Sequence, residues 1–322
     1  MTIHSSTIHQ GESDSGSALS PKSSMSSFHP LKIHSLEELN HLNGIILIDK
    51  PRGPSSHQVA AWVRELLGTT KVGHTGTLDP AVSGVLVVLL GRAVRLTSCL
   101  HLDEKEYVCL LRLHHPVDRK KLDAVLLEFT GKVYQRPPRR SAVKRALRIR
   151  EIHSIECLDS DGSDVLLLVR CDSGTYIRSL CHHIGLALGV GGHMQELRRT
   201  ISGGFSETQT HTLHSLADAM DAARNGDFTT LSQMILPVEV ISSGIPCVSV
   251  KTTALNAISH GARISSRGIV TLDSFQKDDF VAVLNEQKIV CIGKALTSSS
   301  CITPGAYGLV IAPFLVFRDL DP

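Results

Sequence analysis

The sequence predicts an α+β protein in two parts, and three observations carry that prediction. Between residues 44 and 236, short apolar runs such as Gly44-Ile45-Ile46-Leu47-Ile48 alternate with stretches whose apolar residues recur at helical spacing, such as Val59, Trp62, Val63, Leu66 and Leu67. From about residue 245 the pattern changes to short β-rich runs separated by Gly, Ser and Asp, as in Phe280-Val281-Ala282-Val283-Leu284 and Ile289-Val290-Cys291-Ile292-Gly293. The third observation is length: 322 residues suffice for two cores at about 100–200 residues each.

Composition narrows the class. Hydrophobic residues make up 42% and charged residues 20%, the balance of a globular chain. No apolar run approaches the ~18 residues of a membrane span, and the Ser- and His-rich start lacks a signal-peptide core, so an intracellular setting with no membrane partner is expected. Eight cysteines are scattered without a CxxC pair, which favours reduced thiols over a disulfide framework or a zinc site. The clusters Cys181-His182-His183 and His211/His214 lack the spaced partners a metal needs. A net charge of +2 excludes a uniformly basic nucleic-acid binder, yet Arg136, Arg139, Arg140, Lys144, Arg145, Arg148 and Arg150 crowd one short segment. Pro137 and Pro138 keep the start of that segment extended, which suits phosphate contacts; a solvated edge strand is the competing reading.

Taken in order, residues 1–28 are Ser-rich with little to bury and read as a disordered tail. Residues 30–43 carry scattered leucines compatible with a short helix. Gly44–Asp49 is a buried strand ending at Lys50-Pro51, where a functional lysine is easily presented, although a solvated lysine fits the same position. Ser55 or Ser56 can cap the helix that follows, and Gly68 stops it. Residues 82–90 form a Val- and Leu-rich strand, and Lys105–Leu113 another, with Tyr107 near its entrance. A helix near 122–129 ends at Gly131. Val165–Cys171 is a strand, and Asp172-Ser173-Gly174-Thr175 turns it into a helix over about 176–188. Arg178, in the first turn of that helix, opposes the helix dipole at a cost of ~0.3–1 kcal/mol, so a compensating anion is expected, with Asp79 the candidate. Gly189-Val190-Gly191-Gly192 lacks the GK[ST] ending of a nucleotide-binding P-loop. Leu213–Leu236 reads as helical, with Pro237 marking the exit from the larger part.

The stretch richest in chemistry is His74-Thr75-Gly76-Thr77-Leu78-Asp79-Pro80. A carboxylate between a glycine turn and a proline, ahead of a buried strand, is held in a fixed pose, whether to react or only to bond turn amides. The heptapeptide does not stand alone. Ile48-Asp49-Lys50-Pro51, Lys105-Glu106-Tyr107-Val108, Arg136-Pro137-Pro138, Ser141-Ala142-Val143-Lys144-Arg145, Gly174-Thr175-Tyr176-Ile177-Arg178 and Gly191–Arg199 accompany it. In this order, across residues 43–206, they resemble the TruB/dyskerin family of pseudouridine synthases.

The resemblance implies an α+β fold: a catalytic domain (29–243) on a mixed, mainly antiparallel sheet with flanking helices, then a small β-rich PUA-like pseudo-barrel (244–322) that binds RNA. Ala257–Ala262, Ile292-Gly293-Lys294-Ala295 and Phe317-Arg318-Asp319 carry the second match, while Ser265–Ile269 departs from it. Also implied are Asp79 as nucleophile, Arg178 as its counter-charge and Tyr107 stacked on the flipped uracil. Lys50 would support the loop, Tyr176 and Leu197 would line the pocket, and His74 would sit where the base has left the RNA. Arg136, Arg139, Arg140, Lys144 and Arg145 would contact RNA. No cofactor or metal is needed. The short link from Lys144-Arg145 to Arg148 leaves no room for the thumb loop of stand-alone transfer-RNA enzymes. It points to the guide-dependent branch, whose partners are an H/ACA guide RNA, the substrate RNA and three small core proteins. That branch serves ribosome biogenesis, in the nucleolus of a eukaryote or the cytoplasm otherwise. Two readings compete: a stand-alone transfer-RNA uridine-55-type enzyme, and a non-catalytic scaffold holding guide RNA.

Overall fold

The computed structural model describes residues 31–98, 104–136, 146–303 and 305–317. Residues 1–28, together with Arg139, Arg140, Lys144 and Arg145, lie outside the described residues.

The first half of the larger part comprises β1 (Gly44–Lys50), α1 (Ser56–Leu67), β2 (Val72–Thr75), β3 (Ser83–Leu90), β4 (Glu104–Leu113), α2 (Arg119–Glu128) and β5 (Gly131–Gln135). There follow β6 (Arg148–Asp161), β7 (Asp164–Asp172), α3 (Ile177–Ala187), β8 (Gly192–Ser202), β9 (Phe205–Ser206), α4 (Leu213–Arg224), α5 (Thr229–Met234) and β10 (Ile235–Pro237). The strands form one sheet in the order β10-β1-β3-β8-β4-β7-β6-β5, with β2 added to β3 and β9 to β8. The sheet is mixed and mainly antiparallel, as expected. Its parallel neighbours are β3 and β8, which meet through Ser83↔Arg198 and Gly84↔Arg199 alone. This short seam joins two half-sheets, and the Asp79 loop enters β3 at it.

The half-sheets are built differently. Strands β1 and β3 are apolar on both faces, so both faces must be covered. On one side Val59, Val63 and Leu67 of α1 pack with Leu216 and Met220 of α4 and Leu231 of α5. On the other, Ile45, Leu47, Val85 and Val87 meet Ala282, Ile289 and Leu315 of the C-terminal part. In the second half-sheet β7 alternates buried and less buried residues, and its buried row, Val165, Leu167 and Val169, packs with Leu122 and Val125 of α2 and Leu180 and Ile184 of α3.

Local rules explain α1 well. The Ser55 hydroxyl accepts from the Gln58 amide and Gly68 ends the helix at φ 63°. Trp62 lies at the margin of its apolar face, 37% exposed. Two expectations need correction. Within 30–43, expected to carry a short helix, the described residues 31–43 hold one 3₁₀ turn, Glu38–Asn40, and bury Ile33 and Leu39. The Leu213–Leu236 stretch is two helices and a strand: Gly226 takes φ 94°, and the Asp227 carboxylate accepts from the Thr229 amide to start α5. Ile235–Pro237 then pairs with β1 because its apolar residues fill an open sheet edge.

The C-terminal part comprises β11 (Cys247–Val250), α6 (Leu255–Ser259), β12 (Ile264–Ser265), β13 (Ile269–Leu272), β14 (Phe280–Asn285), β15 (Lys288–Ala295) and β16 (Leu309–Val316). Its sheet runs β12-β16-β15-β14-β11-β13. It has its own core around Val248, Ile258, Val283 and Ile311. It is locked to the larger part by the shared apolar layer and by Arg95, which donates to the Phe314 carbonyl at 3.2 Å. No described helix is long and apolar enough to cross a membrane.

Candidate active site

The loop from Gly76 to Ser83 is pinned residue by residue. Leu78, 4% exposed, is its apolar anchor, and the Ser56 hydroxyl holds that residue from both sides. The hydroxyl donates to the Leu78 carbonyl at 3.0 Å and accepts from the Leu78 amide at 2.8 Å. Ser55 caps α1, which frees Ser56 for this long-range role. After Asp79 the chain turns, with the Val82 amide donating to the Asp79 carbonyl at 3.0 Å. The Pro80 carbonyl accepts from the Gly53 amide at 2.8 Å and from Lys50 Nζ at 3.4 Å. Leu78 and Val82 are tucked into the same core as Tyr107 and Leu197, leaving Asp79 between them on the surface.

Beneath the loop, sheet register lines up the charged groups. Lys50 on β1 faces Gly84 on β3, Gly84 faces Arg199 on β8, and Arg199 faces Tyr107 on β4. Side chains in one register row share a face. Gly84 leaves the space between the cations open, and no other residue fits there. Its φ is 102°, and a Cβ would stand 2.1 Å from the Arg199 carbonyl oxygen. A β-bulge between Glu106 and Tyr107 re-aims the tyrosine beside this row.

Lys50 is fully buried, which excludes the solvated reading, and its ammonium donates to the Pro51 carbonyl at 2.8 Å. Burial lowers its pKa, the Asp79 charge opposes that shift, and the Arg199 charge adds to it. Arg199, 1% exposed, donates from Nη2 to the Gly76 carbonyl at 2.6 Å and to the Val85 carbonyl at 2.7 Å, while Nε reaches Val85 at 2.9 Å. Tyr107, 8% exposed, has its hydroxyl pKa raised by burial and pulled back by the neighbouring Arg199 guanidinium.

Above the loop, Arg178 Nη2 donates to an Asp79 carboxylate oxygen, joining helix α3 to the turn. Both side chains are more than half exposed. The start of α3 is held in place by Gln135 at the end of β5. Its Oε1 accepts from the Tyr176 amide at 2.8 Å and its Nε2 donates to the Tyr176 carbonyl at 3.2 Å. Tyr176 is half-buried. Leu197, 9% exposed, completes the apolar side.

His74 lies on β2 at the start of the loop, 3.2 Å from the Thr77 hydroxyl and edge-on to His57 at 4.7 Å between ring centres. Burial, reinforced by the His57 and Arg199 charges, pushes its pKa down to about 4, so the ring is neutral at neutral pH. A cavity of about 470 Å³ opens beside it, between α1 and the loop, with Arg64 and Thr97 on its walls. Of the basic segment, Arg136 is exposed at the end of β5, and Arg148 and Arg150 lie on β6 beside it. The structure thus gathers Asp79, Tyr107, Arg178, Lys50, Leu197 and His74 around the loop, with Tyr176 at the start of α3, two residues before Arg178. Two supporting residues were not singled out from sequence: Ser56, which looks like a cap, and Gln135, which has no motif around it; Arg199 belongs to the Leu197–Arg199 stretch that the sequence reading expects to close the pocket.

What this fold and loop define is a pseudouridine synthase, an RNA uridine isomerase. The chain matches TruB family pseudouridylate synthase (N terminal domain) over residues 64–177, tRNA pseudouridylate synthase B C-terminal domain over 178–242 and PUA domain over 246–312. It is 44% identical to a protein of Methanosarcina barkeri named probable tRNA pseudouridine synthase B, over 86% of this chain and 83% of that one. Its structure is similar to a chain in a Cbf5-Nop10-Gar1 complex, with a TM-score of 0.84 and 41% identity over 92% of each chain. A chain in an H/ACA RNP bound to a substrate RNA containing 2'-deoxyuridine gives a TM-score of 0.81 and 40% identity, over 89% of this chain and 88% of that one. The chain belongs to the TruB family.

Proposed function

We propose that Asp79 is the nucleophile of an H/ACA-guided isomerisation of uridine to pseudouridine in RNA. The observation that carries the reading is the pose of its carboxylate, gripped by Arg178 and seated over two buried cations. In the reaction Asp79 bonds to the nucleoside, the bond between uracil N1 and ribose C1′ breaks, the base turns and C5 bonds to C1′. The bond to Asp79 breaks again, C5 gives up its proton and N1 takes one up, so the product is an isomer of the substrate. Asp79 attacks the extruded nucleoside, and Arg178 holds the carboxylate in place and balances its charge. The Tyr107 ring stacks on the base. Tyr176 and Leu197 line the pocket that keeps the detached uracil, and Lys50 supports the loop from below. His74, neutral and therefore able to fit among stacked bases, occupies the gap the uridine leaves. Flipping costs a few kcal/mol, least for a uridine already unpaired in a guide-RNA pocket. Arg136 and, from sequence, Arg139, Arg140, Lys144 and Arg145 bind phosphates.

Guide dependence is supported by the short Lys144–Arg148 connection and by the likeness to chains in H/ACA complexes. On that reading the partners are a guide RNA and three small core proteins, proteins of the Nop10 and Gar1 kind among them. The name of the M. barkeri relative, probable tRNA pseudouridine synthase B, favours a second reading, a stand-alone transfer-RNA enzyme. One assay separates them: the isolated chain is incubated with transfer RNA, and the reconstituted particle with a guide-matched substrate. Guide dependence predicts product only, or far faster, in the second tube; equal rates on transfer RNA alone would overturn it.

A further inference from the structure

We infer that Arg199 is a positioning residue for the isomerisation, closing the Asp79 loop at both ends with one guanidinium while packing against Tyr107, so that carboxylate and tyrosine are held at a set distance from each other. The inference rests on the reading that Asp79 is the reacting group.

Three observations carry it. One side chain binds the carbonyl of Gly76, where the loop begins, and that of Val85, just past its end. The backbone of the same residue pairs with Gly84 on one side and with Tyr107 on the other. Arg199 therefore touches the carboxylate-bearing loop across the parallel pairing of β3 with β8 and the tyrosine-bearing strand across the antiparallel pairing of β8 with β4. The third observation is electrostatic. Among the described residues no carboxylate pairs with this guanidinium, although it is 1% exposed. Burying a cation on neutral dipoles, here two carbonyls and the Tyr107 hydroxyl, is costly, and an apolar side chain of similar volume would fill the space more cheaply. The charge is better explained by what lies above it, an anion on the loop that it clamps. Arginine suits the task because its planar fork meets two carbonyls at once, whereas a lysine ammonium is a point donor on a flexible stem.

The test uses Arg199→Lys and Arg199→Met in the full chain, assembled as the wild type requires for activity. RNA affinity, single-turnover rate at saturating RNA and thermal midpoint are measured for each. Arg199→Lys keeps the charge and is expected to fold, bind RNA within about two-fold of wild type and lose on the order of 100-fold in rate, the effect of a misplacement near 1 Å. Arg199→Met is expected to lose more. If Arg199→Met does not fold, hydrogen exchange at the Leu78 and Val82 amides in Arg199→Lys provides the second measurement, with faster exchange expected. A role in packing alone would lower the midpoint and leave the rate per folded molecule unchanged. A wild-type rate for Arg199→Lys, with Asp79→Asn inactive in the same assay, would overturn this inference alone; an active Asp79→Asn would instead overturn the assignment it rests on.

Discussion

The two sides of the Asp79 loop obey different physics. On the outer side Asp79 and Arg178 are 58% and 51% exposed, and an ion pair so wet contributes about 0–1 kcal/mol. On the inner side Lys50 and Arg199 are 0% and 1% exposed, and every bond they make is paid for in desolvation. The outer pair therefore sets the orientation and charge balance of the carboxylate but is too weak to fix the loop that carries it. Position comes from below, through Ser56 on Leu78, Lys50 and Gly53 on Pro80, and Arg199 on Gly76 and Val85. Chemistry and geometry are thus divided between two layers of one loop.

Substitutions in each layer should separate accordingly. The largest effect is expected from Asp79→Asn, which should cut the rate by on the order of 10³-fold or more while the thermal midpoint and RNA affinity stay near wild type. A large loss of stability in that variant would erase the division between layers. Next comes Gly84→Ala, where the new methyl meets the Arg199 carbonyl at a φ of 102°. Strain and overpacking together should cost ~3 kcal/mol or more, read by denaturant unfolding. An unaffected midpoint would mean the seam yields easily.

Ser56→Ala removes the partner of a buried amide and a buried carbonyl at once, and about 2 kcal/mol of stability should go with it. Its rate at saturating RNA should fall as well, since the loop anchor loosens; a stability loss with no change in rate would assign Ser56 to folding alone.

The smallest effect concerns His74. Its pKa is depressed from 6.5 to about 4 in the folded chain, so between those values the unfolded state binds the extra proton. The stability tied to this ring is complete above about pH 6.5 and is lost as pH falls toward 4. Each unit of displacement corresponds to ~1.4 kcal/mol, reduced here because the ring is only half-buried. His74→Asn should flatten the rise of stability with pH across that window, and an unchanged slope would show that other groups set it.

Much of the outer layer could be read from the chain. Pro80 and Gly76 around Asp79 signal a held carboxylate, and a cation in the first turn of α3 asks for an anion, which Arg178 finds in Asp79. Helix α1 follows from Ser55, its apolar period and Gly68, because caps and periodicity act within a few residues. Of the inner layer, Lys50 is expected from the family resemblance to support the loop, but local rules give neither its burial nor its neighbours. Ser56 sits in a cap position, so the local rule gives it a local role, yet its partner is Leu78. Gln135, which supports the outer layer, has no pattern of its own either and matters because β5 ends beside the start of α3. The misread Leu213–Leu236 stretch shows the same limit: its last residues are apolar enough for a helix, but the open edge of β1 claims them as a strand.

Amino-acid order alone, then, settled where α1 and the strands at 44–49, 82–90 and 165–171 lie, and that a single acid stands poised on a rigid turn ahead of a buried strand. Those outcomes depend on interactions between near neighbours. The row Lys50–Gly84–Arg199–Tyr107 belongs to the folded sheet. Its members come from four strands far apart in the chain, and their alignment depends on register, which only the packing of both half-sheets enforces.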